Sequence, residues 1–317
     1  MSERTTAGMP SFVGYLLCVL GGLVVGVFTP MACLLIGWGC VVVASGRNVG
    51  AWALTFVASL VSAGVGSLVV GSTAYADALL VCVVSVAVGY LLSVGKMTAG
   101  IGCIVVGLLT AAQLGVGAAE ALLAGTDIAT AYSQMANEYV QELGSVAGIT
   151  ADQTQLVITV VSYIWPSAYI LSALAEFVCA YLGVQVGSSR CGEKSFQMPK
   201  LVDYDLPLWL VGVFVGSLVA LAAGVSLQGV WSQVLLMVAI NLIIALRFAL
   251  MVQGFGVLAW LVQEKKPGAL LTVIGTVVAV ILEARFLVMS IVGLADVWIN
   301  FRHLQRGTKT TVQDNTN

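Results

Sequence analysis

Residues 241–261, NLIIALRFALMVQGFGVLAWL, decide how the chain is to be read. The stretch is apolar enough to cross a bilayer, which takes about 20 residues, yet it carries Asn241, Arg247 and Gln253. At about 100° per residue these three side chains point roughly 120° apart, so they cannot share one inward face. A charge at mid-bilayer costs about 2.5–3.5 kcal/mol and by default faces protein or a water-filled cavity. The stretch is therefore expected either to be enclosed by protein on most sides or to be interrupted near Gln253-Gly254-Phe255-Gly256. Two glycines one residue apart weaken a helix there.

The rest of the chain has the same character. Over 317 residues, 60% are hydrophobic and only 9% charged, and the mean hydropathy is +1.03. Soluble domains hold roughly 45–50% apolar and about 25% charged residues, so this composition is that of an integral membrane protein. The 35 glycines fit the same class, because small residues let membrane helices approach closely. A net charge of -2 with no basic stripe argues against a nucleic-acid partner. The seven cysteines are odd in number, form no C-x-x-C and lie mostly in apolar runs, so they read as packing residues. The N-terminus carries both Glu3 and Arg4 and has no small-residue cleavage signature, so the first run is expected to be retained.

Nine hydrophobic runs are legible: 12–28, 31–44, 51–70, 78–94, 99–123, 156–183, 208–227, 231–261 and 269–298. They predict an all-α polytopic transmembrane bundle of about 8–10 passes. Residues 1–299 form the membrane domain and 300–317 a polar C-terminal tail. Thr29-Pro30 separates the first two runs so narrowly that a tight hairpin is expected. Arg4, Arg47, Lys96, the basic loop within 187–206 and Lys265-Lys266 fall at alternate ends of successive runs. The intervening ends hold no Lys or Arg, which predicts a plasma-membrane protein with a cytoplasmic N-terminus. A single pass through 269–298 would break this pattern by placing Arg302, Arg306 and Lys309 outside. The alternative is two short halves bent around Leu282-Glu283-Ala284-Arg285, and on that reading the C-terminus is also cytoplasmic. Trp52, Trp209, Trp231, Trp260 and Trp298 lie at run ends, as interfacial tryptophans do.

Between the fifth and sixth runs, residues 126–148 repeat apolar side chains every three or four positions, at Ile128, Tyr132, Met135, Tyr139 and Leu143. This predicts one external amphipathic helix, with Thr126 near its N-cap and Gly144 near its end, lying over the outer mouth as packing or as a lid. Thr150-Ala151-Asp152-Gln153 has the capping-box form that starts the next helix.

There is no phosphate-binding G-K-[ST] loop, no H-E-x-x-H and no second histidine beside His303. No catalytic residue, metal ligand or cofactor is assigned, and an ATPase or metal hydrolase is not expected. The candidate binding or buried polar residues are Arg247, Glu283, Glu176, Gln253, Asn241, Tyr163, Trp165 and Tyr169. Glu283 and Arg285 sit two apart on nearly opposite helix faces, so Glu283 is free to reach another helix, and Arg247 is its nearest cation. The pair either lines a site or fixes helix register as a closed ion pair. Pro166 in mid-run, flanked by Tyr163, Trp165 and Tyr169, is expected to kink its helix, and cavities form at such interruptions. Gly254 and Gly256 are assigned to a helix break or to packing. The Gly22 and Gly26 spacing is assigned to close helix contact.

Three stretches of the last third resemble the YybS-like family of uncharacterised bacterial polytopic membrane proteins. These are Leu206-Pro-Leu-Trp209, Gln253-Gly254 through Glu264-Lys-Lys266, and Gly293-Leu-Ala-Asp296-Val-Trp298-Ile-Asn-Phe301-Arg302. That family is in turn distantly similar to the substrate-binding subunits of energy-coupling-factor transporters. The resemblance implies a helical bundle holding a small solute, with Gly22 and Gly26 as a small-residue surface for docking on another membrane subunit. Two functions are carried forward. One is a transporter-type small-molecule-binding subunit in the lipid bilayer, without its own ATPase and with its solute between the sixth, eighth and ninth runs. The other is a non-transporting scaffold or regulatory protein that presents Arg190 to Lys200 and Arg302 to Lys309 to partners or anionic headgroups.

Overall fold

The computed structural model describes residues 10–70, 74–147, 151–191, 196 and 198–304. Among them every regular element is helical. In chain order the helices are α1 Ser11–Val24, α2 Thr29–Ala44, α3 Val49–Val70, α4 Ala74–Ser93, α5 Ala99–Leu123, α6 Ile128–Ala147, α7 Ala151–Ile164 and α8 Pro166–Ser188. They continue with α9 Leu208–Ser226, α10 Val230–Lys265, α11 Ala269–Phe286 and α12 Val288–Ile299. Seven of the described helices are long and apolar enough to cross a membrane, which makes this a multi-pass membrane protein. The chain divides into two compact units, Met1–Met198 with Val213–Ala245, and Pro199–Gly212 with Leu246–Asn317.

In the first unit the expected hairpin is present. Pro30 sits in the first turn of α2, where its missing N–H costs no helical bond. A side chain at Gly14 would meet Gly39 and Val43, and one at Gly21 would meet Ile36 and Ala32. That register makes α1 and α2 antiparallel with backbones in close contact. Gly22 is buried against Ser59, Ser62 and Ala63 of α3, and Gly26 lies beyond the end of α1. The Gly22 and Gly26 surface assigned to docking is therefore not one surface: Gly22 is used inside the bundle. Buried Thr55, Ser59, Ser62 and Ser67 of α3 donate to carbonyls of their own helix.

α2 and α8 run parallel. Gly183 lies against Leu34 and Gly187 against Trp38, while the Cys191 thiol donates to the Val41 carbonyl. This places Arg47 and Arg190, which follow α2 and α8, at one end of the unit. Arg47 donates to Ser11 Oγ at the start of α1, so three chain segments meet there. Cys18, Cys33, Cys40 and Cys82 are buried and unpaired within this core, in keeping with a packing role.

The amphipathic segment expected to be external forms α6, but its cap is Asp127 rather than Thr126. The Asp127 carboxylate accepts from the Thr130 amide at 2.9 Å and from the Thr130 hydroxyl. These donors hold the Asp127 carboxyl below the usual carboxylate range. The helix also runs past Gly144, to Ala147. Of the capping-box stretch, α7 starts at Ala151 as expected, while Thr150, the side chains of Tyr139, Leu143, Asp152 and Gln153, and Arg4, Lys194, Arg306 and Lys309 lie outside the described residues.

The sixth run is two helices, α7 and α8, meeting at Trp165 and Pro166. Proline removes one N–H from the ladder, and the run divides where it stands.

In the second unit α10 continues without a break through Gln253-Gly254-Phe255-Gly256 to Lys265, contrary to the expected interruption. Two glycines cost about 1 kcal/mol each in a helix, and what they allow here is close packing. A side chain on Gly254 would strike the Met289 carbonyl, one on Gly293 the Leu250 carbonyl, and one on Gly256 the Leu201 carbonyl and the Arg302 guanidinium. Along α10, Val234, Val238 and Leu242 are exposed on one stripe in the first unit, and Leu261 is exposed near the helix end in the second. Each polar residue needs one neighbouring segment, not a ring of them.

The ninth run is two helices, as one of the two readings anticipated, but the break falls at Leu287, beyond Leu282-Glu283-Ala284-Arg285. Leu287 has φ 57°, a left-handed conformation that costs a leucine roughly 1–2 kcal/mol. Three residues separate α10 from α11, which returns to bring Glu283 to Arg247. α12 then runs parallel to α10, with Ser290 at Arg247, Gly293 at Leu250 and Asp296 beside Gln253. With 12 residues it spans about 18 Å, short of the roughly 30 Å hydrocarbon core, and it heads back toward the Lys265 end.

Candidate functional site

Among the described residues, four clusters of polar side chains join separate segments of the chain. Two lie in the first unit and two in the second.

At the α7–α8 kink, Asn241 Nδ2 donates to the Tyr163 carbonyl at 2.7 Å, and its Oδ1 accepts from Ser167 Oγ at 2.6 Å. Asn241 thus satisfies backbone that Pro166 has disturbed, and it is buried in doing so. Just beyond it, Trp165 stacks on Tyr132 of α6 with ring centroids 5.3 Å apart. Tyr169 meets both rings edge-on, at 5.8 Å from Tyr132 and 6.4 Å from Trp165. Gly117 of α5 leaves the room that the Tyr169 hydroxyl occupies. The indole Nε1 of Trp165 is buried and meets no acceptor among the described residues. Asp77 and Glu120 act electrostatically on Tyr169, so the aromatic group sits among carboxylates.

Deeper in the same unit, Glu176 of α8 is 3% exposed. Its Oε1 accepts from Gln113 Nε2 of α5 at 2.8 Å and from Ser172 Oγ at 3.1 Å. Glu176, a candidate buried polar residue from the sequence, thus meets an amide of α5. Gln113 went unremarked in the sequence, although a lone amide in the middle of the run 99–123 is the same signal that Gln253 gives.

In the second unit Arg247 pairs with Glu283, with Nη2 3.3 Å and Nε 3.4 Å from Oε1. The carboxylate has a further duty. Its Oε2 accepts the Ser290 amide at 3.0 Å and its Oε1 the Ser290 hydroxyl at 2.7 Å, so Glu283 caps the N-terminus of α12 from across the Leu287 reversal. Both carboxylate oxygens are therefore engaged, and the pair has the form of a register-fixing contact. Replacing Glu283 with alanine is expected to cost roughly 2–3 kcal/mol in thermal unfolding, because it leaves a guanidinium and a helix start unserved. Arg247→Ala is expected to cost less, about 1–2 kcal/mol, since Glu283 keeps both bonds from Ser290. Exchanging the two residues is expected not to restore stability, because an arginine at 283 cannot accept from Ser290. Full recovery in the exchanged variant would show that the ion pair alone matters.

The fourth cluster is centred on Gln253, Asp296 and Arg302, all buried. Arg302 Nη2 lies 2.8 Å and Nε 3.2 Å from Asp296 Oδ2, and neither side chain is exposed at all. Arg302 Nη1 donates to the Val202 and Tyr204 carbonyls at 2.7 and 2.8 Å. Gln253 Nε2 donates to Asp296 Oδ2 at 2.8 Å and to Asp205 Oδ1 at 3.3 Å, and its Oε1 accepts the Leu206 amide. Asn300 makes this possible. At φ 53° it ends α12 in a left-handed turn that sends Arg302 back to Asp296, and asparagine tolerates that conformation better than most residues. Arg302 was expected in an exposed basic tail; the structure places it in the interior. The signal in the sequence was the acid six residues before it, with asparagine between.

A family model for predicted membrane proteins, DUF2232, matches residues 11–297. The chain belongs to the DUF2232 family. Neither a search of curated proteins nor one of solved structures finds a match. The DUF2232 match covers both units, so the four clusters lie within it except for Arg302, five residues past its end. The three sequence stretches around Leu206, Gln253 and Asp296 to Arg302 are separate in the chain but converge on Gln253 in the fold. Among the described residues of this DUF2232 chain, no group of three or more His, Cys, Asp or Glu side chains is arranged to hold a metal ion.

Proposed function

We propose that this DUF2232 protein is a transporter-type membrane subunit that binds a small solute at the Tyr132, Trp165 and Tyr169 cluster and has no ATPase of its own. The observation that carries the reading is the buried indole N–H of Trp165, which meets no acceptor. A buried donor left unmade costs about 1–3 kcal/mol, and a solute oxygen would serve it. Three rings at a proline kink give such a solute apolar faces on several sides. The position differs from the one expected between the sixth, eighth and ninth runs, because Arg247 and Glu283 are occupied with each other and with α12. Asp77, Glu120 and Asp127 at this end, with no Lys or Arg beside them, support an outward-facing site and a cytoplasmic N-terminus. The return of α12 toward Lys265 supports a cytoplasmic C-terminus by the same rule. The likeness to YybS-like proteins and to substrate-binding subunits of energy-coupling-factor transporters agrees in kind. Burial of Gly22 removes the docking surface that the likeness implied, and burial of Arg302 takes one cation from the competing scaffold reading.

Native mass spectrometry of the protein released from mild detergent tests the proposal. The wild type is expected to carry a bound small molecule. Trp165→Phe keeps the ring stacking but lacks the N–H, and is expected to bind that molecule about two- to tenfold more weakly. A wild type with no adduct, or an adduct indifferent to Trp165→Phe, counts against it.

A further inference from the structure

We propose that Glu176 holds an exchangeable proton shared with Gln113, and that this acid–amide pair is a proton-binding site within the membrane-spanning part of the first unit. Every donor that reaches Glu176 lands on one oxygen: Gln113 Nε2 and Ser172 Oγ both donate to Oε1. Among the described residues, Oε2 is buried and has no partner, and neither has the Oε1 of Gln113. Glu283 shows the contrasting pattern of an ionised carboxylate, with an arginine beside it and donors on both oxygens.

Two orphan acceptors on two side chains that already share a hydrogen bond are satisfied together by one proton. With Oε2 protonated, Glu176 donates to Gln113 Oε1 while Gln113 Nε2 donates to Glu176 Oε1, which closes a cyclic acid–amide pair. The proton enters from water and leaves to water, and no other bond forms or breaks. A hard metal cation is the poorer occupant, since it takes about six or more oxygen ligands and the pair offers two. The surroundings also favour the neutral acid. α8 packs mainly against α2, α4, α5 and α7, and none of these helices carries a Lys or Arg; α6 and the first-unit part of α10, which touch α8 through Tyr132 and Asn241, carry none either. The titratable groups that act on Glu176 from them are Cys33 of α2, Cys179 of α8 itself and Asp77 of α4, each of which adds only negative charge when ionised. Glu120 of α5 and Asp152 of α7 are the acids on the remaining two helices. An uncompensated buried carboxylate is costly, and a carboxylic acid kept neutral by its site donates a hydrogen bond instead. Intramembrane carboxyl groups of this kind serve as proton relays.

Infrared difference spectroscopy of the full-length protein in lipid nanodiscs at neutral pH tests the assignment. The wild type minus Glu176→Gln spectrum is expected to show the carbonyl band of a protonated carboxylic acid that shifts on exchange into deuterium oxide. Glu176→Gln is expected to unfold within a few degrees of the wild type, because an amide–amide pair preserves both hydrogen bonds. Gln113→Leu removes the partner and is expected to move the acid band to higher frequency. The proposal is overturned if the difference spectrum shows the loss of ionised carboxylate bands. It is equally overturned if Glu176→Gln does not fold, if Gln113→Leu leaves the acid band in place, or if sodium at fixed pH stabilises the wild type but not Glu176→Gln.

Discussion

Arg302→Ala is expected to destabilise the second unit by about 3–5 kcal/mol, the largest effect of any single substitution outside the first unit's core. Both members of the Arg302 and Asp296 pair are fully buried, so removing the arginine strands a carboxylate where water cannot reach it. The loss extends further, because the Val202 and Tyr204 carbonyls and the Gln253 amide are organised around the same two side chains. Arg302→Lys is expected to recover only part of the loss. An ammonium offers no planar fork with which to serve Asp296 and two carbonyls at once. Replacing both Arg302 and Asp296 with apolar residues of similar volume is expected to be milder than Arg302→Ala alone, since no unpaired charge remains. Thermal unfolding in detergent reads these differences. If Arg302→Ala melted within a degree or two of the wild type, the cluster would not hold the unit together.

Gly293→Ala and Gly254→Ala are expected to cost about 1–3 kcal/mol each, and more if α12 cannot shift. The obstacle in each case is backbone: the Leu250 carbonyl for Gly293 and the Met289 carbonyl for Gly254, neither of which can rotate away as a side chain does. Because one displacement of α12 relieves both collisions, the double variant is expected to cost less than the sum of the singles. Gly212→Ala and Gly216→Ala are the controls. Nothing lies within 4 Å of a side chain at either position, and helix propensity favours alanine, so a small gain of up to about 1 kcal/mol is expected. Equal losses at all four positions would mean that glycine matters here for membrane insertion and not for contact with α12.

Much of this fold could be read from periodicity and polarity. The run 99–123 is α5 with the same limits, Thr29-Pro30 opens α2, and Pro166 divides the sixth run. The ion pair of Arg247 with Glu283 was also legible, because a permanent cation in an apolar helix requires a nearby acid and Glu283 could not serve Arg285. Other features were hidden. A positive φ at leucine has no sequence signature, so the reversal was expected at the charged residues 283–285 when it falls at Leu287, with Glu283 capping the helix beyond it. The glycines at 254 and 256 weaken an isolated helix, yet in the fold they are where another segment comes closest.

By itself the sequence determined the solvent: a chain with 60% hydrophobic residues and 9% charged can only be stable in a bilayer, and helices are how its backbone is satisfied there. It also determined where the helices lie, because the length of an apolar run is fixed by membrane thickness. Tertiary structure alone decided the partners. Whether Glu176 meets a cation or an amide, whether Arg302 faces water or Asp296, and whether Gly22 is a docking surface or a buried contact all depend on helix register. Register is set by the packing of side chains far apart in the chain, to which local hydropathy is blind.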